Sequence, residues 1–268
     1  MAETDRVFSG SIPAIYDRYL RPLIFEPYAA DLAARLSDLK SGNVLEIAAG
    51  TGVLTRALGR LLPHAVAIVA TDLNQPMLDF AAAQPDAARA TWRQADALKL
   101  PFAGGSFDVV ACQFGAMFFP DKVAGYAEAL RVLNPGGRLA FNVWDRIEEN
   151  EITQAVAEGV AAIFPNDPPQ FATRTPHGYY DTDRIREELR AAGFSKVALD
   201  TVQLRSRAPS CYDPAIGFCQ GTPLRNEIEA RGASLAEATE SAAAVVRTRF
   251  GPGPIDGKMQ AHVIIATQ

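Results

Sequence analysis

Three carboxylates, Glu46, Asp72 and Asp96, each stand in or just after a short strand-like run, where a strand would deliver them to a sheet edge. The first run, Val44-Leu45-Glu46-Ile47, leads into Ala48-Ala49-Gly50-Thr51-Gly52 and then into a helix-like segment. Glycine at 50 and 52 lets a backbone approach a ligand closely and take positive φ. Asp72 lies 22 residues beyond Gly50, the place from which an acid accepts both hydroxyls of a ribose. Asp96, in Ala95-Asp96-Ala97, can accept a hydrogen bond from an exocyclic amine such as that of adenine. The set suits a nucleoside-like ligand without phosphates, because a pyrophosphate prefers unopposed N–H groups at a helix N-terminus. Two phosphate-binding patterns are missing: Thr55 stands where GxGxxG needs its last glycine, and no GK[ST] follows.

Alternating elements are needed to carry these residues. Ala65 to Thr71 reads as a second strand, apolar throughout as when helices cover both faces. Trp92 to Ala95, Phe107 to Cys112 and Arg138 to Trp144 read as the third, fourth and fifth. Between them Val53 to Leu62 is helical, Asn74 caps a helix with Pro76 in its first turn, and Val123, Ala127 and Leu130 share one helical face. Strict alternation of this kind means a doubly wound, parallel α/β sheet. Later segments are looser. Ile152 to Phe164 is helical, Pro165 to Tyr180 is loop, and Asp183 to Ala192 is a helix with Ile185 and Leu189 inward and Gly193 past its end. Lys196 to Leu204 and Gln260 to Thr267 read as strands. The insert 208–257 holds one helix from Thr222-Pro223 and another capped by Ser234 with Glu237.

Composition narrows the partners. The chain has 268 residues, a net charge of −5 and a pI near 5.3, without the basic footprint of a nucleic-acid binder. Its N-terminus, MAETDRVFSGSIP, is acidic where a signal peptide is basic, and no run is long enough for a membrane span. Three cysteines without CxxC spacing suit a reducing cytoplasm and two free thiols in the insert. The expectation is a cytoplasmic protein with a small-molecule substrate, no nucleic-acid or membrane partner and no metal.

VLEIAAGTG, ATDLN, ADALKLPF, GGSFDVVAC and ALRVLNPGGRLAF, in that order, resemble class I S-adenosylmethionine-dependent methyltransferases, most closely the type 11 group with the ubiquinone and menaquinone biosynthesis enzymes. The match covers residues 43–144. It implies a Rossmann-like, seven-stranded, mostly parallel sheet with the last strand antiparallel, and a helical cap. As one methyltransferase domain, 1–268 divides into a core (43–145, 194–207 and 258–268) and a lid (1–36, 146–193 and 208–257). S-adenosylmethionine is the implied cofactor and S-adenosylhomocysteine the product. The resemblance implies that Glu46 organises the methionine amino end while Ala48, Gly50 and Gly52 pass beneath the cofactor. By the same mapping Asp72 binds the ribose, Leu73 and Met77 flank the adenine, Asp96 and Ala97 read its edge, and Gln113 lies near the methionine part. Ala48 replaces the family's first loop glycine, and alanine there requires a negative φ.

Methyl transfer needs attack geometry and exclusion of water more than a dedicated base. No catalytic residue is evident; His177, Tyr16 and Tyr19 are the candidates, and Tyr16, Tyr19, Trp144, His177 and Tyr179 the substrate-side set. Gln113-Phe114-Gly115 replaces the [DN]PPY of amine-methylating enzymes. Two other readings stay open: an NAD(P)-dependent oxidoreductase on a Rossmann fold, and a non-catalytic S-adenosylmethionine-binding protein.

Overall fold

Seven segments form strands in the computed structural model, which describes residues 3–268. They are β1 (Gly42–Glu46), β2 (Val66–Asp72), β3 (Ala90–Gln94), β4 (Phe107–Gln113), β5 (Leu133–Trp144), β6 (Lys196–Ala208) and β7 (Ile255–Thr267). The helices are α1 (Ile12–Ile15), α2 (Glu26–Ala34), α3 (Val53–Leu61), α4 (Gln75–Ala82), α5 (Lys122–Val132), α6 (Glu151–Ala162), α7 (Phe171–Arg174), α8 (Thr182–Ala191), α9 (Tyr212–Gly221), α10 (Leu224–Ala230) and α11 (Leu235–Phe250). A π-helical stretch, Tyr16–Phe25, joins α1 to α2 and contains Pro22, which has no N–H to give to an i−4 bond.

The strand order is β3-β2-β1-β4-β5-β7-β6, mostly parallel with the last strands antiparallel. Winding reverses between β1 and β4, and ligands of open α/β sheets bind outside the strand C-termini at such a switch. Val44, Leu45, Val110, Ala111, Ala140 and Phe141 are buried in the central strands.

By its contacts the chain forms two compact units. The sheet unit comprises Tyr28–Val143, Tyr180–Val202 and Ala261–Gln268; the cap unit comprises Met1–Pro27, Trp144–Tyr179 and Gln203–Gln260. Residues 28–36 and 180–193, which the sequence pattern assigns to the lid, fall in the sheet unit. Tyr28 is the reason for the first, since its hydroxyl donates to the Val202 carbonyl (2.8 Å). For the second, α8 buries Ile185 and Leu189 and packs on α5. In the cap unit α6 and α11 touch backbone to backbone, because a Cβ on Gly159 would lie 2.5 Å from Ala242 Cα. Asp5 is buried there, accepting from Arg174 Nη2 (2.6 Å) and Thr175 Oγ1 (2.7 Å). Cys211 and Cys219 are free and buried.

Some sequence expectations need correction. The buried face of α5 is Gly125, Tyr126, Ala129 and Val132; Ala127 is exposed and Val123 and Leu130 are only half-buried. Asn74 starts α4 without a side-chain cap, because its side chain turns back to Asp72. The loop 165–180 contains the short α7, and the insert has a third helix, α9. Ser234 does cap α11, accepting from the Glu237 N–H (3.1 Å).

Candidate functional site

The C-terminal ends of β1 and β2 create the site's electrostatics. Glu46 ends β1 and is buried; its Oε2 accepts from Thr55 Oγ1 in α3 (2.5 Å). Burial pushes its carboxyl up to about 8, against smaller opposing effects of Thr55 and Arg56 and a further rise from Asp72. A buried acid held by one hydroxyl is short of positive charge, and a ligand cation would complete it. Asp72 ends β2, also buried and raised by desolvation. Its Oδ2 accepts from the Gly50 N–H and its Oδ1 from the Asn74 N–H, both at 2.8 Å. The acid expected to bind ribose thus also pins the glycine loop.

That loop is fixed from both sides. The Ile47 N–H donates to the Ala111 carbonyl of β4 (2.9 Å) and the Ala49 N–H to the Thr71 carbonyl of β2 (2.8 Å). Held this way, Ala48 takes φ +54°, so the expected negative φ is wrong. Left-handed alanine costs about 1–2 kcal/mol. Space for its methyl comes from Gly115, where a Cβ would lie 2.5 Å from Ala48 Cβ. Gly50 and Gly52 have φ +56° and +78°.

The two glycines are not equivalent. A Cβ on Gly50 would meet only Met77 Cε, at 3.6 Å. On Gly52 it would come within 2.6 Å of Trp92 Cη2 and 3.3 Å of Ala81 Cβ. Gly52→Ala should therefore destabilise the fold by about 2–4 kcal/mol, strain plus overpacking, against about 1–2 kcal/mol for Gly50→Ala. Urea unfolding of both variants checks this, and equal losses would refute the Trp92 clash. Trp92, which sequence reasoning reads only as strand, packs against the glycine loop.

Elsewhere the expected residues are placed as follows. Met77 is buried in α4 and adjoins Gly50, whereas Leu73 is exposed. Asp96 is exposed just past β3, its Oδ1 accepting from the Leu98 N–H (2.9 Å), with Ala97 half-buried beside it. Gln113 ends β4, and the next residue, Phe114, turns with φ +49°. Register pairs Glu46 with Ala70 and Ala111, Ala111 with Ala140, and Gln113 with Asn142. By the two-residue period of a strand, Glu46, Asp72, Gln113 and Asn142 share one sheet face. Asn142 is the member that sequence reasoning does not find.

The residues expected on the substrate side belong to the cap unit, where an aromatic row joins three of them. Phe8 meets Tyr16 edge-on (6.1 Å), Tyr16 stacks on Phe25 (4.8 Å), Phe25 adjoins Trp144 (6.3 Å) and Trp144 adjoins His177 (6.0 Å). Tyr19 is apart from this row, with Arg18 over its ring and its Cβ close to Gly217. Tyr179 is buried. His177 is buried with Nδ1 2.8 Å from the Asp145 carbonyl, and burial lowers its pKa to about 4. The neutral ring therefore carries its proton on Nδ1 and leaves Nε2 unprotonated. Among the described residues no cluster of His, Cys, Asp or Glu could hold a metal ion, and no helix is long and apolar enough to cross a membrane.

A buried acid beside a glycine turn, a second at the end of β2 and a doubly wound sheet define a nucleoside-binding α/β protein. Comparison with known proteins specifies it further. Residues 44–137 match a family described as methyltransferase domain. The ubiquinone/menaquinone biosynthesis C-methyltransferase UbiE of Pseudomonas aeruginosa is 32% identical over 176 residues, 60% of this chain and 69% of that protein. A phosphoethanolamine N-methyltransferase of Haemonchus contortus, solved with S-adenosylhomocysteine, has the same fold (TM-score 0.60, 15% identity, 96% of this chain and 56% of that one). So does the [4+2]-cyclase SpnF (TM-score 0.57, 20% identity, 91% and 80%). The chain belongs to the class I S-adenosylmethionine-dependent methyltransferases, in the UbiE-like group. It is an enzyme that transfers a methyl group from S-adenosylmethionine to a small molecule.

Proposed function

We propose that the sheet unit holds the methyl donor through Glu46 on the methionine ammonium, Asp72 on the ribose diol and Asp96 with Ala97 on the adenine edge. Met77 and Leu73 flank the adenine, Ala48, Gly50 and Gly52 run beneath the cofactor, and Gln113 stands by the methionine end. Glu46 carries this reading, because its buried carboxyl, with Thr55 as its hydrogen-bond donor, matches a ligand ammonium. When bound, the cofactor supplies an electrophilic methyl group on a sulfonium. The chain's part is to bind, orient and keep water away, which can supply roughly 7–11 kcal/mol of the barrier.

Acceptor recognition falls to the cap unit, to Tyr16, Tyr19, Trp144, His177 and Tyr179. The acceptor is a small molecule methylated at O, N, S or C. Where it must lose a proton, His177 Nε2 is the base, its ring oriented by the Asp145 carbonyl. The acidic balance supports an acceptor other than nucleic acid, and the cysteine usage supports a cytoplasmic enzyme.

Calorimetry with S-adenosylhomocysteine and with NADH tests the donor site. Micromolar binding of the first and none of the second is expected; NADH binding alone would overturn the assignment. Incubation with methyl-labelled donor and a metabolite extract then identifies the acceptor, with label expected in a low-molecular-weight product.

A further inference from the structure

The donor-site residues are rich in acceptors. Glu46, Asp72 and Asp96 are all carboxylates, yet the methionine end of the proposed ligand carries a carboxylate of its own, which needs donors. Much of the glycine loop's backbone is already committed: Ala49 N–H donates to Thr71, Gly50 N–H to Asp72 and Gly52 N–H to Ala49. Beside the Thr51 hydroxyl, which is buried without a partner among the described residues, a side-chain donor on the same face as Glu46 would serve that carboxylate.

Asn142 is in that place. It pairs with Gln113 across β4 and β5 and shares the sheet face of Glu46. It is fully buried. Its amide cannot be reversed without loss, because Oδ1 accepts from the Phe114 N–H (2.9 Å), the residue that turns the chain out of β4. The other half of the amide, Nδ2, has no partner among the described residues. Buried amide donors are rarely left so in a native protein, and one at a ligand edge calls for a ligand oxygen.

We infer that Asn142 is a donor-binding residue, its Oδ1 fixing the Phe114 turn and its Nδ2 donating to the amino-acid carboxylate of the bound cofactor. The inference rests on the S-adenosylmethionine reading of the site. Asn142→Asp separates the two halves of the amide, since aspartate keeps the acceptor for Phe114 but replaces the donor with a charge that repels a carboxylate.

The test titrates S-adenosylhomocysteine and 5′-methylthioadenosine, which lacks the amino-acid end, into wild type, Asn142→Asp and Asn142→Ser, with thermal unfolding alongside. Both variants should lose at least tenfold in affinity for S-adenosylhomocysteine and stay within twofold of wild type for methylthioadenosine. A purely structural asparagine would weaken both ligands together, which overturns the inference, as does wild-type affinity for S-adenosylhomocysteine in folded variants. Wild type that binds no S-adenosylhomocysteine refutes instead the cofactor reading and the inference with it. Should both variants fail to fold, the wild type decides through its side-chain amide resonances. The Asn142 NH2 signals should move on adding S-adenosylhomocysteine and not methylthioadenosine, and an equal response to both overturns the assignment.

Discussion

Affinity for S-adenosylhomocysteine should rise on the order of twentyfold between pH 6 and pH 7.5, because in the proposed donor site Glu46 must lose its proton to meet the ligand ammonium. Its carboxyl stands near 8 in the free protein, raised first by burial and held down only in part by Thr55 and Arg56. Asp72 adds to the rise. Across this window the free protein is mostly protonated at Glu46, so each pH unit raises the ionised fraction nearly tenfold. Binding should then release close to one proton, seen as a dependence of the calorimetric heat on the ionisation enthalpy of the buffer. The stability sign follows from the same shift. A carboxyl raised above its unfolded value of 4.5 contributes stability below that value and loses it as pH rises through about 8. The free protein should become easier to unfold over that range, and saturating ligand should oppose the trend. Glu46→Gln should bind weakly with a flat profile. A flat wild-type profile would remove Glu46 from the ammonium.

What was legible in the sequence is what is local. Glu46, Asp72 and Asp96 could be read because each stands in or just after a short strand-like run, and the glycine turn between the first two has its own spacing. Trp92 and Asn142 could not, since their roles depend on partners brought in by register: Trp92 closes over Gly52, and Asn142 receives Phe114. Ala48 shows the difference most directly. The loop's hydrogen bonds to β2 and β4 force a left-handed backbone there, and Gly115, 67 residues away in sequence, makes room for the methyl. No local propensity contains that compensation. The C-terminal end of β6 was obscured for a similar reason. Arg205-Ser206-Arg207 reads as the end of a strand, but both arginines pair with Asp256 of β7 (2.5 and 2.9 Å), so an exposed strand face tolerates them.

Asp72→Ala should have a still larger effect on binding, at least about a hundredfold weaker for S-adenosylhomocysteine, because in the proposed donor site one carboxylate serves two functions. The ribose loses charge-assisted bonds, each worth about 1.5–3 kcal/mol. The Gly50 and Asn74 N–H groups lose the acceptor that shapes the loop and the entry to α4. Stability should fall by about 2 kcal/mol as these part-buried donors turn to water. Asp72→Asn discriminates between the two functions, since its single amide oxygen can keep one N–H but cannot accept from the other and from a diol as well. Its stability should lie between wild type and the alanine variant while its affinity stays near the latter. Methylthioadenosine provides the internal comparison. It contains the ribose, so Asp72→Ala should weaken it as much as S-adenosylhomocysteine, whereas loss of a contact to the amino-acid end would spare it. Equal binding of both ligands by wild type and Asp72→Ala would leave Asp72 as a loop anchor alone and place the ribose elsewhere on the sheet edge.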